Sequence, residues 1–125
     1  MVNPEATPLV IDIAKGFITL VQGIETKWSR AFLRFSSHQS VSEAKGSYVH
    51  PFGVEIINVL KHKPFFHGIA RKGQEILTAV GKTDGVFVLI TNSTLDYEIK
   101  FEYHDMSRWR IGKLGGGTGV PEGIE

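Results

Sequence analysis

The residues with most chemical potential lie together near the C-terminal end. Tyr103, His104 and Asp105 are followed by Arg108 and Trp109, and preceded by Asp96, Glu98 and Glu102. A His beside an Asp could supply a general base and the carboxylate that orients it. Two carboxylates could divide acid and base work if one had a raised pKa. The spacing argues against both. Tyr97, Ile99, Phe101 and Tyr103 alternate with Glu98, Lys100 and Glu102, which predicts a strand with one buried and one wet face. Neighbours on a strand point to opposite sides, so His104 and Asp105 do not naturally pair. Glu98 and Glu102 share the wet face, where a carboxylate has no reason to acquire the raised pKa of a general acid.

The remaining reading is an acidic stripe. Asp96, Glu98 and Glu102 lie on one side with Lys100 among them, and Asp105 follows. Such a stripe could steer a basic partner, and Arg and Trp are enriched at interface hot spots. The partner-binding candidates are therefore Asp96, Glu98, Glu102, His104, Asp105, Arg108 and Trp109, and no catalytic residue is assigned. The same charges equally suit the solvated side of a half-buried strand.

Other constellations are weaker. Of the five histidines, His62 and His67 are five apart with a Pro between them, which is not a helical ligand pair, and no array of the HExxH type is present. Gly112-Lys113 is followed by Leu114, so a phosphate loop lacks its Ser or Thr and its following helix. There is no Gly-x-Ser-x-Gly elbow. No metal and no cofactor is expected. Cysteine is absent, which removes disulfides, thiolate catalysis and Cys-ligated metal.

The elements that must position these residues follow from periodicity. Residues 8–26 read as a helix, with Val10, Ile13, Ala14, Phe17, Leu20, Val21 and Ile24 on one face. Thr7 is the expected N-cap, with Pro8 at the first helical position. Residues 28–35 read as a strand opened by Trp28, a core-closing residue. The polar stretch from Ser36 to Gly46 reads as a loop. Two strands follow around a turn at Pro51-Phe52-Gly53. Residues 65–81 read as a second helix ended by Gly81, with Gly68 and Gly73 as weak points. "GVFVLIT" is an unbroken apolar run, expected to be the central strand, covered on both faces. Asn92-Ser93-Thr94 reads as a turn.

The fold class is thus α+β, a mainly antiparallel five-stranded sheet with two helices on one face, in the order α-β-β-β-α-β-β. Residues 1–111 form a single domain, and 112–125, rich in glycine, a flexible tail. A chain of 125 residues suits one core. With 14 Lys and Arg against 13 Asp and Glu, the balance offers no general pull toward nucleic acid or an anionic membrane. The N-terminus, with Glu5, Asp12 and Lys15, does not read as a signal peptide, and no apolar run approaches a bilayer span. A cytoplasmic location is expected.

The element order, with Trp28 opening "KWSRAFLRF", the Tyr48 hairpin in "SYVHPFG" and the Phe-Glu-Tyr-x-Asp pattern at 101–105, resembles small bacterial immunity proteins of the YezG-like type. These accompany polymorphic or contact-dependent toxins. The resemblance covers residues 8–110 and departs from the family in the glycine-rich tail. It implies a non-enzymatic cytoplasmic protein that binds and neutralises a cognate toxin domain, often a nuclease and so basic, by blocking its active or substrate-binding site. It implies no direct contact with nucleic acid. A second reading is a cone-shaped ligand-binding or isomerase-like domain, with Tyr97, Phe101 and Tyr103 around an apolar pocket and His50 or His104 as base. A third is a homodimer joined through an exposed strand edge.

Overall fold

A computed structural model describes residues 6–124. Glu5, which enters the reading of the N-terminus, lies outside the described residues. Helix α1 spans Thr7–Ile24 and helix α2 spans Lys63–Ala79. The strands are β1 (Arg30–His38), β2 (Val41–His50), β3 (Gly53–Ile56), β4 (Gly85–Asn92) and β5 (Tyr97–Glu102). They form one antiparallel sheet in the order β3-β2-β1-β4-β5, so the central strand is β1 rather than the apolar run of β4, which is interior but second from the edge. The α+β architecture and element order are those the periodicity predicts.

Two local readings are corrected. The Ser36–Gly46 stretch is not a loop: β1 runs to His38, Gln39 and Ser40 turn with positive φ, and β2 starts at Val41. Polarity reflects position here, because residues 41–43 are exposed at the far end of the hairpin. The N-cap of α1 is Ala6, which makes no side-chain cap, and Thr7 is already helical.

One face of the sheet carries both helices. Ala31, Leu33 and Phe35 of β1, and Phe87 and Leu89 of β4, meet Val10, Ile13, Phe17 and Val21 of α1 and Phe66, Ile69, Ile76 and Leu77 of α2. Trp28 is buried in the same cluster. Gly73 lets α2 approach the sheet, since a Cβ there would sit 2.7 Å from the Phe35 ring. By length and composition α1 is apolar enough to cross a membrane, which corrects the expectation that no stretch approaches a span. Its inner side is occupied by the core.

The opposite face is also covered. Val86 and Val88 of β4 pack with Trp109, while Ile90, Met106 and Ile124 adjoin them. Residues 112–124, read from sequence as a loose tail, run back along this side. Gly119 donates to the Gly112 carbonyl at 3.0 Å and Glu122 to the Arg110 carbonyl at 2.9 Å. Gly119, at φ +94°, passes so close to β3 that a Cβ would meet Val54 Cγ1 at 2.9 Å. Gly119 and Pro121 are buried. The sheet therefore lies between a helical layer and an irregular layer built from the chain after β5.

Candidate functional site

Strand β5 and the turn after it hold the residues singled out from sequence. The cross-strand register sets Tyr97, Ile99 and Phe101 opposite Thr91, Leu89 and Phe87, and Glu98, Lys100 and Glu102 opposite Ile90, Val88 and Val86. The first set is on the helical side. Ile99, Phe101 and Tyr103 pack against the main core, with the Phe101 ring 6.0 Å from both Phe87 and Tyr103. Tyr97 is the exception at 43% exposed: it lines an open groove beside Ile11, Ala14 and Ile18 of α1 rather than packing into the core.

The acids do not form one uniform stripe. Glu98 is exposed, with Lys100 Nζ 3.9 Å away. Asp96 is exposed in the hairpin turn and accepts from the Thr94 hydroxyl at 3.0 Å. Asn92 Oδ1 organises that turn by accepting from the amides of Thr94 and Asp96. Glu102, by contrast, is largely enclosed. One oxygen accepts from Arg108 Nη1 at 2.6 Å, and the other from the amides of His104 and Asp105 at 3.0 and 3.3 Å. Its side chain is only 15% exposed. The Arg108 hydrogen bond first, then the two amides, hold its pKa down at about 2. Asp105 caps Ser107 through hydroxyl and amide, and these bonds lower its pKa as well.

The turn's polar bonds explain how Trp109 comes to be inside. Trp109, a contact candidate from sequence, is 3% exposed and faces Val86 and Val88. It adopts φ +61°, a conformation that costs a non-glycine residue about 1–2 kcal/mol. Burying a Trp side chain of about 150–250 Å² returns about 4–6 kcal/mol at 25 cal/mol per Å², so burial outweighs the strain. Arg108 lies outside, stacked 4.7 Å over the indole.

Sequence reasoning missed Arg34. It lies on the outer side of β1, only 4% exposed. It donates from Nε to the Arg108 carbonyl at 2.8 Å and from Nη2 to the Met106 carbonyl at 2.7 Å, with Glu43 3.6 Å from Nη1. Burial pushes its pKa down, opposed by Glu43, but a guanidinium remains charged. The signal was a single cation in the middle of "AFLRF". A strand buried on both sides can hold a cation only with acceptors waiting for it.

The histidines weighed as bases are far apart. His104 is exposed beyond β5, and His50 ends β2, with β1 and β4 between. His50 Nε2 lies 3.7 Å from Glu55, too far for a hydrogen bond, and its ring sits 5.7 Å from Tyr48. Among the described residues, no three His, Asp or Glu side chains group as metal ligands. Compared with known proteins, the chain matches no family model and no curated sequence.

Proposed function

We propose that this chain is a binding protein that neutralises a protein partner, in the manner of the immunity proteins it resembles, and that it has no catalytic role. The partner is a basic, nuclease-like toxin domain, met in the cytoplasm of the producing cell and blocked at its active or substrate-binding site. The observation that carries the reading is the β5 margin, where Asp96 and Glu98 are exposed without a strong cationic partner. Exposed carboxylates of this kind raise the association rate of a basic protein.

Two further observations support a binder over an acid–base enzyme. The shifted carboxylates Asp12, Glu102 and Asp105 are all shifted downward, which keeps them ionised and unsuited to proton donation. The inward residues of β5 also meet the packed helical layer: Phe35, Phe87 and Leu89 beneath them are fully buried. The open groove between Tyr97, Leu95 and the Ile11, Ala14, Lys15 and Ile18 side of α1, about 440 Å³, carries no carboxylate or histidine that could act as a base.

The test is to co-purify the protein with the C-terminal domain of a toxin-like product from the neighbouring gene, and to measure affinity by calorimetry. The double variant Asp96→Lys, Glu98→Lys should bind at least about tenfold more weakly, mainly through a slower association rate. Both positions are exposed, so thermal stability should hold. Unchanged affinity in the variant rejects the acidic margin as the contact surface.

A further inference from the structure

The outer side of the β1–β2 hairpin carries charges that neither the outer layer nor the β5 margin uses up. Arg34 and Lys45 stand directly opposite each other in the ladder, and Glu43 stands opposite Ser36 two positions along. The strand period puts these four side chains on one face. The chain after β5 crosses that face and brings Arg110 to it. Arg34, Glu43, Lys45, Arg110 and Ile111 enclose a recess of about 280 Å³. Three cations there face one carboxylate, an excess of two positive charges.

Folding spends only part of Arg34. Its Nε and Nη2 donate to carbonyls of the outer layer. Nη1 has Glu43 at 3.6 Å, beyond a hydrogen bond. A side chain 4% exposed thus keeps an unspent charged donor, which is costly without an acceptor. Glu43 is a weak counterion, since its own side chain is 62% exposed. Burial first, and then the like charge of Arg110, lower the Arg34 pKa against the pull of Glu43. Lys45 Nζ reaches the Ile111 carbonyl at a long 3.5 Å, so its charge is not neutralised there.

We propose that this recess binds the phosphate group of a small phosphate monoester, with Arg34 at its base and Lys45 and Arg110 at its sides. A monoester dianion matches the excess of two charges, and its three free oxygens suit donors arriving from three segments of chain. A carboxylate has one charge and two oxygens in a plane. The recess is smaller than the roughly 300–1,000 Å³ of drug-sized sites, so it holds the phosphate alone. A more open hollow of about 380 Å³ shares Arg34, Glu43 and Arg110 and adds Ser36, His38 and Met106, which gives the ester group a place. A nucleic-acid strand repeats its charge at every step and needs a row of cations, not one recess bordered by Glu43. The site needs no toxin and stands independently of the proposed function.

The experiment titrates the full chain with inorganic phosphate and with methyl phosphate, followed by amide and guanidinium NMR signals at constant ionic strength. A pH of about 8 keeps both probes dianionic, since the second pKa of a phosphate is about 6. The Arg34 Nε–H and the amides of Lys45 and Ile111 should shift and saturate, with methyl phosphate bound at least as well as inorganic phosphate. Lys45→Gln and Arg110→Gln, both at exposed positions, should each weaken binding by about tenfold. Arg34 stays natural, because it holds the outer layer. Glu43→Gln removes the carboxylate that competes for Nη1 and should tighten binding several-fold, which a merely structural cluster would not do. Shifts that never saturate, or that chloride reproduces, overturn the proposal. So do glutamine variants at 45 and 110 that bind as well as the natural chain, a Glu43→Gln variant that binds more weakly, or a single-stranded oligonucleotide that outcompetes methyl phosphate.

Discussion

Trp109 offers the sharpest separation of two accounts of the same residue. As an interface anchor it should contribute to partner binding and little to stability. As the plug of the outer layer it should do the reverse. It is 3% exposed against Val86 and Val88, and it holds its position despite φ +61°. Trp109→Ala keeps the unfavourable backbone conformation and removes the burial that offsets it. Buried Trp-to-Ala changes cost about 3–5 kcal/mol. With a urea m-value of about 1.5 kcal/mol per M, the midpoint should fall by about 2–3 M. Against a total stability of about 5–15 kcal/mol, such a loss leaves a folded fraction that can still be measured.

The assay is equilibrium urea unfolding followed by far-UV circular dichroism, which does not depend on the indole removed. Trp109→Phe, which retains most of the apolar area, should lose roughly a third as much. A midpoint shift below about 0.5 M for Trp109→Ala would refute the argument, because a solvent-exposed residue gives a change of that size. Loss of toxin affinity at unchanged stability would return Trp109 to the surface.

The two glycines of α2 should respond with opposite signs. Gly68→Ala meets nothing within 4 Å and should stabilise by up to about 1 kcal/mol, whereas Gly73→Ala places a methyl 2.7 Å from the Phe35 ring. That ring is stacked on Phe87 at 5.3 Å, so overpacking of about 1–3 kcal/mol should exceed the helix gain and lower the Tm. Arg34→Met should destabilise by about 2–4 kcal/mol, because two part-buried carbonyls lose a charged donor, and limited proteolysis should cut first between residues 105 and 124. For Glu102 the folded pKa of about 2 lies below the ordinary 4.5, so its stabilising effect is complete above 4.5 and lost as pH falls toward 2. The Tm difference between the natural protein and Glu102→Gln should close across that window, and a constant difference would contradict the Arg108 contact.

The helical side of the fold was legible because its signals are periodic. The α1 face from Val10 to Ile24 and the alternation from Tyr97 to Tyr103 each encode a burial direction, and both directions hold, except that Tyr97 lines an open groove beside α1 and stays exposed. The outer layer was not legible, because irregular backbone has no period. One clue was present in the unbroken run "GVFVLIT". A strand buried on both faces requires two covers, and the predicted helices supply one. The second had to come from the chain after β5. Its glycines suggested looseness, yet Gly119 is where that segment makes its closest approach to the sheet. The β1–β2 hairpin was misread for a related reason: its tip projects beyond both covers, and a polar strand end has the composition of a loop.

The same two-cover requirement divides the acids that looked alike in sequence. Glu102 stands where the outer layer begins, and there its carboxylate gathers Arg108 and two amides to start the turn that delivers Trp109. Glu98, four residues earlier on the same face, lies before that layer starts and keeps only a loose contact with Lys100. Charge at Glu102 is thus committed to folding, and charge at Asp96 and Glu98 is available to another molecule. Reversing Glu102 in a binding experiment would confound lost affinity with a loosened turn. Reversing Asp96 and Glu98 leaves that turn intact, so a loss of affinity in that variant reads the exposed charge alone.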